Sequence, residues 1–97
     1  DGSRQILVYM TGAVNRVGQH RLTVPSGRPL GVYEAILISG GLARFANEQQ
    51  VNVLRVDKDG KRHRVPINIR TIMKGEIPDP PIQQGDVIEV SEKVFGF

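Results

Sequence analysis

Between Val32 and Ser39 the chain repeats its apolar positions as an α-helix does, and on both sides of that stretch it repeats them as strands do. Val32, Ala35, Ile36 and Ser39 fall at i, i+3, i+4 and i+7, one stripe of a helix. Gly31 stands at the N-cap position and has no side chain with which to cap. Glu34 stands three residues later, where its carboxylate can reach back to the cap N–H. Leu30 and Ala35 hold the hydrophobic-staple positions. Gly40 and Gly41 end the helix, and Leu42 can supply the apolar contact that follows a glycine C-cap.

Before this helix, Ile6–Met10 is β-branched and aromatic, apolar on both faces, and reads as a central strand. Residues 11–14 continue it through Gly12, which marks a bulge or a close backbone approach. Asn15–Gly18 is a turn, and Gln19–Val24 returns as the partner strand. After the helix, Val51–Val56, the turn Asp57–Gly60 and Lys61–Ile67 form a second hairpin. Pro66 puts its second strand at a sheet edge. Asn68 can cap a short helix with Ile69, Ile72 and Met73 on one side and Gly75 at its end. Residues 76–84 are extended and proline-rich, and Gly85-Asp86 turns into a last strand, Val87–Ser91. Two hairpins, one main helix, a short second helix and a closing strand give an α+β roll with the helix across a mixed sheet. If the last strand lies beside the first, the two run parallel, as in β-grasp folds.

The 97 residues suit one domain, 1–97, with 1–4 and 92–97 as linker-like ends. With 39% hydrophobic residues the chain can bury a core. Cysteine is absent, which removes disulfides, thiolate metal sites and thiol nucleophiles. No apolar run approaches the roughly 20 residues that span a bilayer, and Asp1-Gly2-Ser3 has no signal-peptide character. The net charge of +3 suits an acidic partner and equally suits plain solubility.

Recognisable catalytic chemistry is missing. His20 and His63 fall on separate hairpins, without the spacing that holds a metal. No serine sits in a nucleophile elbow or beside a base. Gly40-Gly41 follows a helix instead of preceding one, so it cannot present a helix N-terminus to a phosphate. The carboxylates lie in turns and at helix starts, and Asp86 is explained by its turn. The expectation is a non-enzymatic chain with no cofactor and no metal.

The strongest polar feature is the basic cluster Lys58, Lys61, Arg62, His63 and Arg64, with Arg55 across the hairpin. In a strand Lys61 and His63 face one way, Arg62 and Arg64 the other. Such a cluster contacts an acidic glycan, nucleic acid or a neighbouring subunit, or it blunts a sheet edge with charge. Arg16 and His20 add candidate contacts on the first hairpin. The five aromatic residues are few for a stacking platform, and Tyr9 and Tyr33 read as at least partly buried. Phe95-Gly96-Phe97 reads as a subunit- or membrane-contacting continuation or as the end of the last strand.

Val8–Val14 followed by Gly18-Gln19-His20, Val32–Ile36 followed by Ser39-Gly40-Gly41-Leu42, Phe45-Ala46-Asn47, Val53-Leu54-Arg55, and Pro81–Val90 with Gly85-Asp86 come in one order along the chain. Together they resemble the soluble-ligand-binding β-grasp (SLBB) domain of Wza-like outer-membrane polysaccharide export proteins. Val17 and Gln84 stand where that family usually has proline. The resemblance runs from about Val8 to Val90 and implies a β-grasp, ubiquitin-like fold. It marks Gly12, Gly18, Glu34, Gly40, Gly41, Gly85 and Asp86 as structural. It implies a periplasmic module of capsule or exopolysaccharide export that builds rings with other copies or domains of its own protein. Its further partners would be anionic polysaccharide and an inner-membrane component of polysaccharide synthesis or export. Two alternatives stand beside it: a nucleic-acid-binding module of the DNA-uptake type, weakened by the scarce aromatics and modest charge, and a small-ligand module.

Overall fold

The computed structural model describes residues 2–94. Five strands, β1 (Arg4–Gly12), β2 (Gly18–Val24), β3 (Ala46–Val56), β4 (Arg62–Ile67) and β5 (Val87–Glu92), and two helices, α1 (Val32–Ile38) and α2 (Ile69–Met73), follow in the order β1-β2-α1-β3-β4-α2-β5. They make an α+β fold around one mixed sheet of strand order β2-β1-β5-β3-β4. The last strand lies at the centre, parallel to β1 and antiparallel to β3.

Period-two alternation selects one face of that sheet for the core. Ile6, Val8 and Met10 of β1, Leu22 and Val24 of β2, Val51 and Val53 of β3, and Ile88 and Val90 of β5 are all buried. Val32, Ala35 and Ile36 of α1 close over them, with Leu30, Ile69 and Ile82 in the same cluster. Ser39 completes the helical stripe and is buried with it. Gly12 brings β1 against the β5 backbone, so the close approach expected there is present.

The sequence misplaces several boundaries. β1 begins at Arg4 and β5 ends at Glu92, so both residues belong to the sheet ladder and not to linker ends. β3 begins at Ala46 and is irregular between Ala46 and Val51. β1 lies one place in from the edge, and the centre goes to β5. Burial in β1 is one-sided, as it is in the central β5, because the core covers a single face of the sheet, and Tyr9 on the other face is 41% exposed. Met73 is exposed, whereas Ile69 and Ile72 pack on the core. Asp1 and Phe95-Gly96-Phe97 lie outside the described residues.

The N-terminus of α1 is capped from a distance. Gly31 occupies the N-cap, and the carboxylate of Asp79 accepts the N–H groups of Tyr33 at 2.8 Å and Glu34 at 3.0 Å. A Cβ at residue 31 would overlap the Asp79 carboxylate, so glycine leaves the room that the remote cap fills. The proline-rich strap is fastened alongside, with Val32 N–H donating to Pro80 and Ile82 N–H to Leu30. Glu34 turns mainly to Arg28, 2.9 Å away, and its carboxyl is lowered by that guanidinium first and by the Gly31 backbone last. The local capping box is thus a minor part of the cap. Asp79→Ala removes an acceptor for two helix N–H groups, and the expected loss is about 1–2 kcal/mol, the upper part of the range for cap removal. A urea midpoint unchanged in Asp79→Ala would refute the remote cap. Gly31→Ala should lose a similar amount by displacing the same carboxylate.

Candidate functional site

The face of the sheet opposite the core is uncovered. Strand register sets Gln19, Tyr9, Val87, Leu54 and Arg64 in one row across all five strands. A parallel row holds Thr11, Glu89, Asn52 and Pro66. On the other side, Arg21 faces Leu7 at one edge and Arg62 faces Val56 at the other. None of these side chains is buried. The face therefore carries an apolar row through Tyr9, Val87 and Leu54, a second row of hydroxyl, amide and the Glu89 carboxylate on the central strand, and arginines at both margins.

Of the six residues singled out as contacts, only Arg62 and Arg64 lie on this face. Arg64 donates to Glu89 at 2.8 Å, and Arg62 has no ion-pair partner among the described residues. Lys61 precedes β4, where its backbone N–H donates to Asp57. Arg55 points to the opposite side of the sheet. Its Nε donates to Asp86 Oδ1 at 3.0 Å, and its Nη2 donates to Asp86 Oδ2 at 2.8 Å and to the Pro81 carbonyl at 3.1 Å. Asp86 is 1% exposed, accepts the Gln83 N–H as well, and raises the Arg55 pKa by that hydrogen-bonded pairing. The turn reading of Asp86 is right, and the ion pair is added to it. Arg16 lies in the turn before β2 and His20 within β2, at the sheet edge opposite β4, where the Arg16 carbonyl accepts from His20 Nε2 at 2.7 Å. The structure does not gather the six into one site.

Sequence reasoning missed Tyr9, Leu54, Val56, Val87 and Arg21 as members of a shared face. Leu7 and Tyr9 are as apolar as their buried neighbours, so alternation along β1 is hidden. The polar residues opposite them, Gln19 and Arg21, carry the signal, and it becomes visible only once the register is known.

No cleft or enclosed cavity is present among the described residues. Nor is there any group of three or more histidine and acidic side chains that could hold a metal ion. Among the described residues, no helix is long and apolar enough to cross a membrane.

Two exposed pairs make stability depend on acid. Asp57 is held below the usual carboxylate range by its hydrogen bond with His63, 2.6 Å away, and then by the Lys61 N–H. Glu34 is held down by Arg28. A carboxyl that is lower in the folded than in the unfolded chain stabilises the fold above the unfolded value, about pH 4. That contribution is lost as pH falls through the folded value. The urea midpoint is expected to fall below about pH 4, and less steeply in the Asp57→Asn/Glu34→Gln variant. Identical acid limbs in the two proteins would sink the assignment.

No protein-family model matches the chain, and no curated protein matches it.

Proposed function

We propose that this chain is a non-catalytic binding and assembly module, an SLBB-like β-grasp domain of a polysaccharide export protein of the cell envelope, facing the periplasm. The β-grasp reading is supported by the parallel β1–β5 pair with α1 packed into the core on one face of the sheet. The polymer reading is carried by one observation, the uncovered row Gln19–Tyr9–Val87–Leu54–Arg64 between the arginine margins. An aromatic face takes the apolar side of a sugar ring. Amides satisfy hydroxyls, and guanidinium groups pair with carboxylates in fixed forked geometry. A flat face of this kind guides a chain and does not enclose it. Weak contacts of single domains would gain strength from many copies in a ring.

Amide shifts of the labelled protein, recorded while an acidic polysaccharide, a neutral one and a DNA duplex are titrated at low and moderate salt, test the reading. Shifts at Tyr9, Leu54, Val87 and Arg64 with the acidic glycan, surviving moderate salt and weakened by Arg62→Glu, are expected. Equal responses to glycan and DNA that vanish with salt indicate charge alone and refute it. Silence toward every polymer also refutes it.

A further inference from the structure

The sheet ends on two edges, and only one is closed to further strands. β4 is blunted in the ways edge strands usually are. Pro66 offers no N–H, and Arg62 and Arg64 crowd the strand with charge. β2 carries none of the blocking devices except Arg21. It is a seven-residue strand without proline, paired to β1 without a register break from Arg4↔Val24 to Met10↔Gly18. No backbone hydrogen bond from a loop or helix reaches Gly18–Val24 among the described residues. The outward half of its N–H and C=O groups therefore stands ready as a template for another strand.

We propose that the β2 edge takes up, by strand addition, an extended segment of another chain that alternates apolar and acidic residues. The pattern follows from β2 itself. Leu22 and Val24 point to the core side, and apolar neighbours would extend the core past them. Gln19, Arg21 and Thr23 point to the open face, and Arg21 has no ion-pair partner among the described residues. An acidic residue opposite Arg21 supplies the missing counter-charge, since opposite charges across strands stabilise and like charges oppose pairing.

A second copy of this chain fits less well. Neither β2 nor β4, the only edges a copy can offer among the described residues, contains an acidic residue. Pairing β2 with β4 of a copy sets Arg21 and His20 beside Arg62, His63 and Arg64. Pairing β2 with β2 leaves Arg21 facing itself or an uncharged residue. Backbone hydrogen bonds would give affinity in the proposed complex, and the alternating side chains would give specificity.

The probe is a capped nine-residue peptide alternating valine and glutamate, added to the labelled protein. Its controls are a valine–lysine peptide and a scrambled peptide of the first composition. The expected result is shifts and at least tenfold slower amide exchange confined to Gly18–Val24 and the adjoining β1. Arg21→Glu should weaken the valine–glutamate peptide at least tenfold and admit the valine–lysine peptide, and Arg21→Gln should weaken the first without admitting the second. Thermal midpoints of both variants check that the fold is kept. Shifts centred on residues 58–64, equal binding of the scrambled peptide, or no binding at millimolar peptide would each overturn the proposal. So would concentration-dependent pairing of the free protein through β2.

Discussion

Gly12→Ala should cost about 2–5 kcal/mol and lower the thermal midpoint by roughly 8–40 °C, at about 4–8 °C per kcal/mol for a domain of this size. Gly12 has φ +86°, and a Cβ placed there would run into the Val90 carbonyl oxygen. No side-chain rotation relieves that overlap, because both partners are fixed to backbone. Val90 is 2% exposed and belongs to the central strand, where it also pairs with Val51 of β3. Relief therefore requires β1 and β5 to part, with loss of the Ala13 N–H bond to Val90, now 2.9 Å. The left-handed backbone costs an L residue about 1–2 kcal/mol, and forced overpacking adds about 1–3 kcal/mol. Gly18→Ala is the matched comparison, since Gly18 also has positive φ, +122°, but nothing lies within 4 Å of a Cβ there. It should lose the backbone part alone. If the two variants melt together, the close approach of β1 to β5 is not what holds glycine at position 12.

The contrast between these glycines shows where the sequence is informative. A glycine inside a β-rich run announces a close approach, and Gly12 is such a residue. The helix stripe Val32–Ser39 and the alternation in β2 and β5 are equally local signals, and the elements they indicate are the ones present. Local capping logic serves at α2, where the Asn68 side chain accepts from the Arg70 N–H. It falls short at α1, because the capping carboxylate comes from Asp79, 46 residues after Tyr33. The only trace in the sequence is a cap position occupied by glycine, which has nothing to offer the helix.

The candidate face is legible to the same extent. Alternation along Lys61–Arg64 separates Arg62 and Arg64 from His63, and the structure puts those two arginines on the open face. Which residues join them depends on strand register, which pairs Leu54 of β3 with Val87 of β5 and Val87 with Tyr9 of β1. No local pattern contains that information. Charge alone also groups Arg55 with Arg62 and Arg64, although one residue of offset turns it to the other side of the sheet.

That offset gives Arg55 a structural duty, and Asp86→Ala should reveal it by costing about 3 kcal/mol, the lower end for removing one member of a buried pair. The lower end applies because Arg55 keeps 26% of its side-chain exposure while Asp86 keeps 1%. Without the carboxylate, the guanidinium retains only the Pro81 carbonyl, and the Gln83 N–H loses its acceptor. Arg55→Met should cost at least as much, since it strands a buried carboxylate. Replacing both, in Asp86→Leu/Arg55→Met, should recover much of the loss, because apolar packing often matches a buried ion pair. The Gln83 N–H stays unsatisfied in every variant lacking Asp86, so recovery should be incomplete. Urea midpoints of the parent protein, Asp86→Leu, Arg55→Met and the double variant give the coupling directly. A loss below about 1 kcal/mol for Asp86→Ala, the range of surface pairs, would contradict the buried-pair assignment. The cycle also governs how binding data are read. Weakened polymer binding in an Arg55 variant would report a disturbed β3–β5 junction, whereas the same loss in Arg62→Glu, a surface change on β4, would report contact.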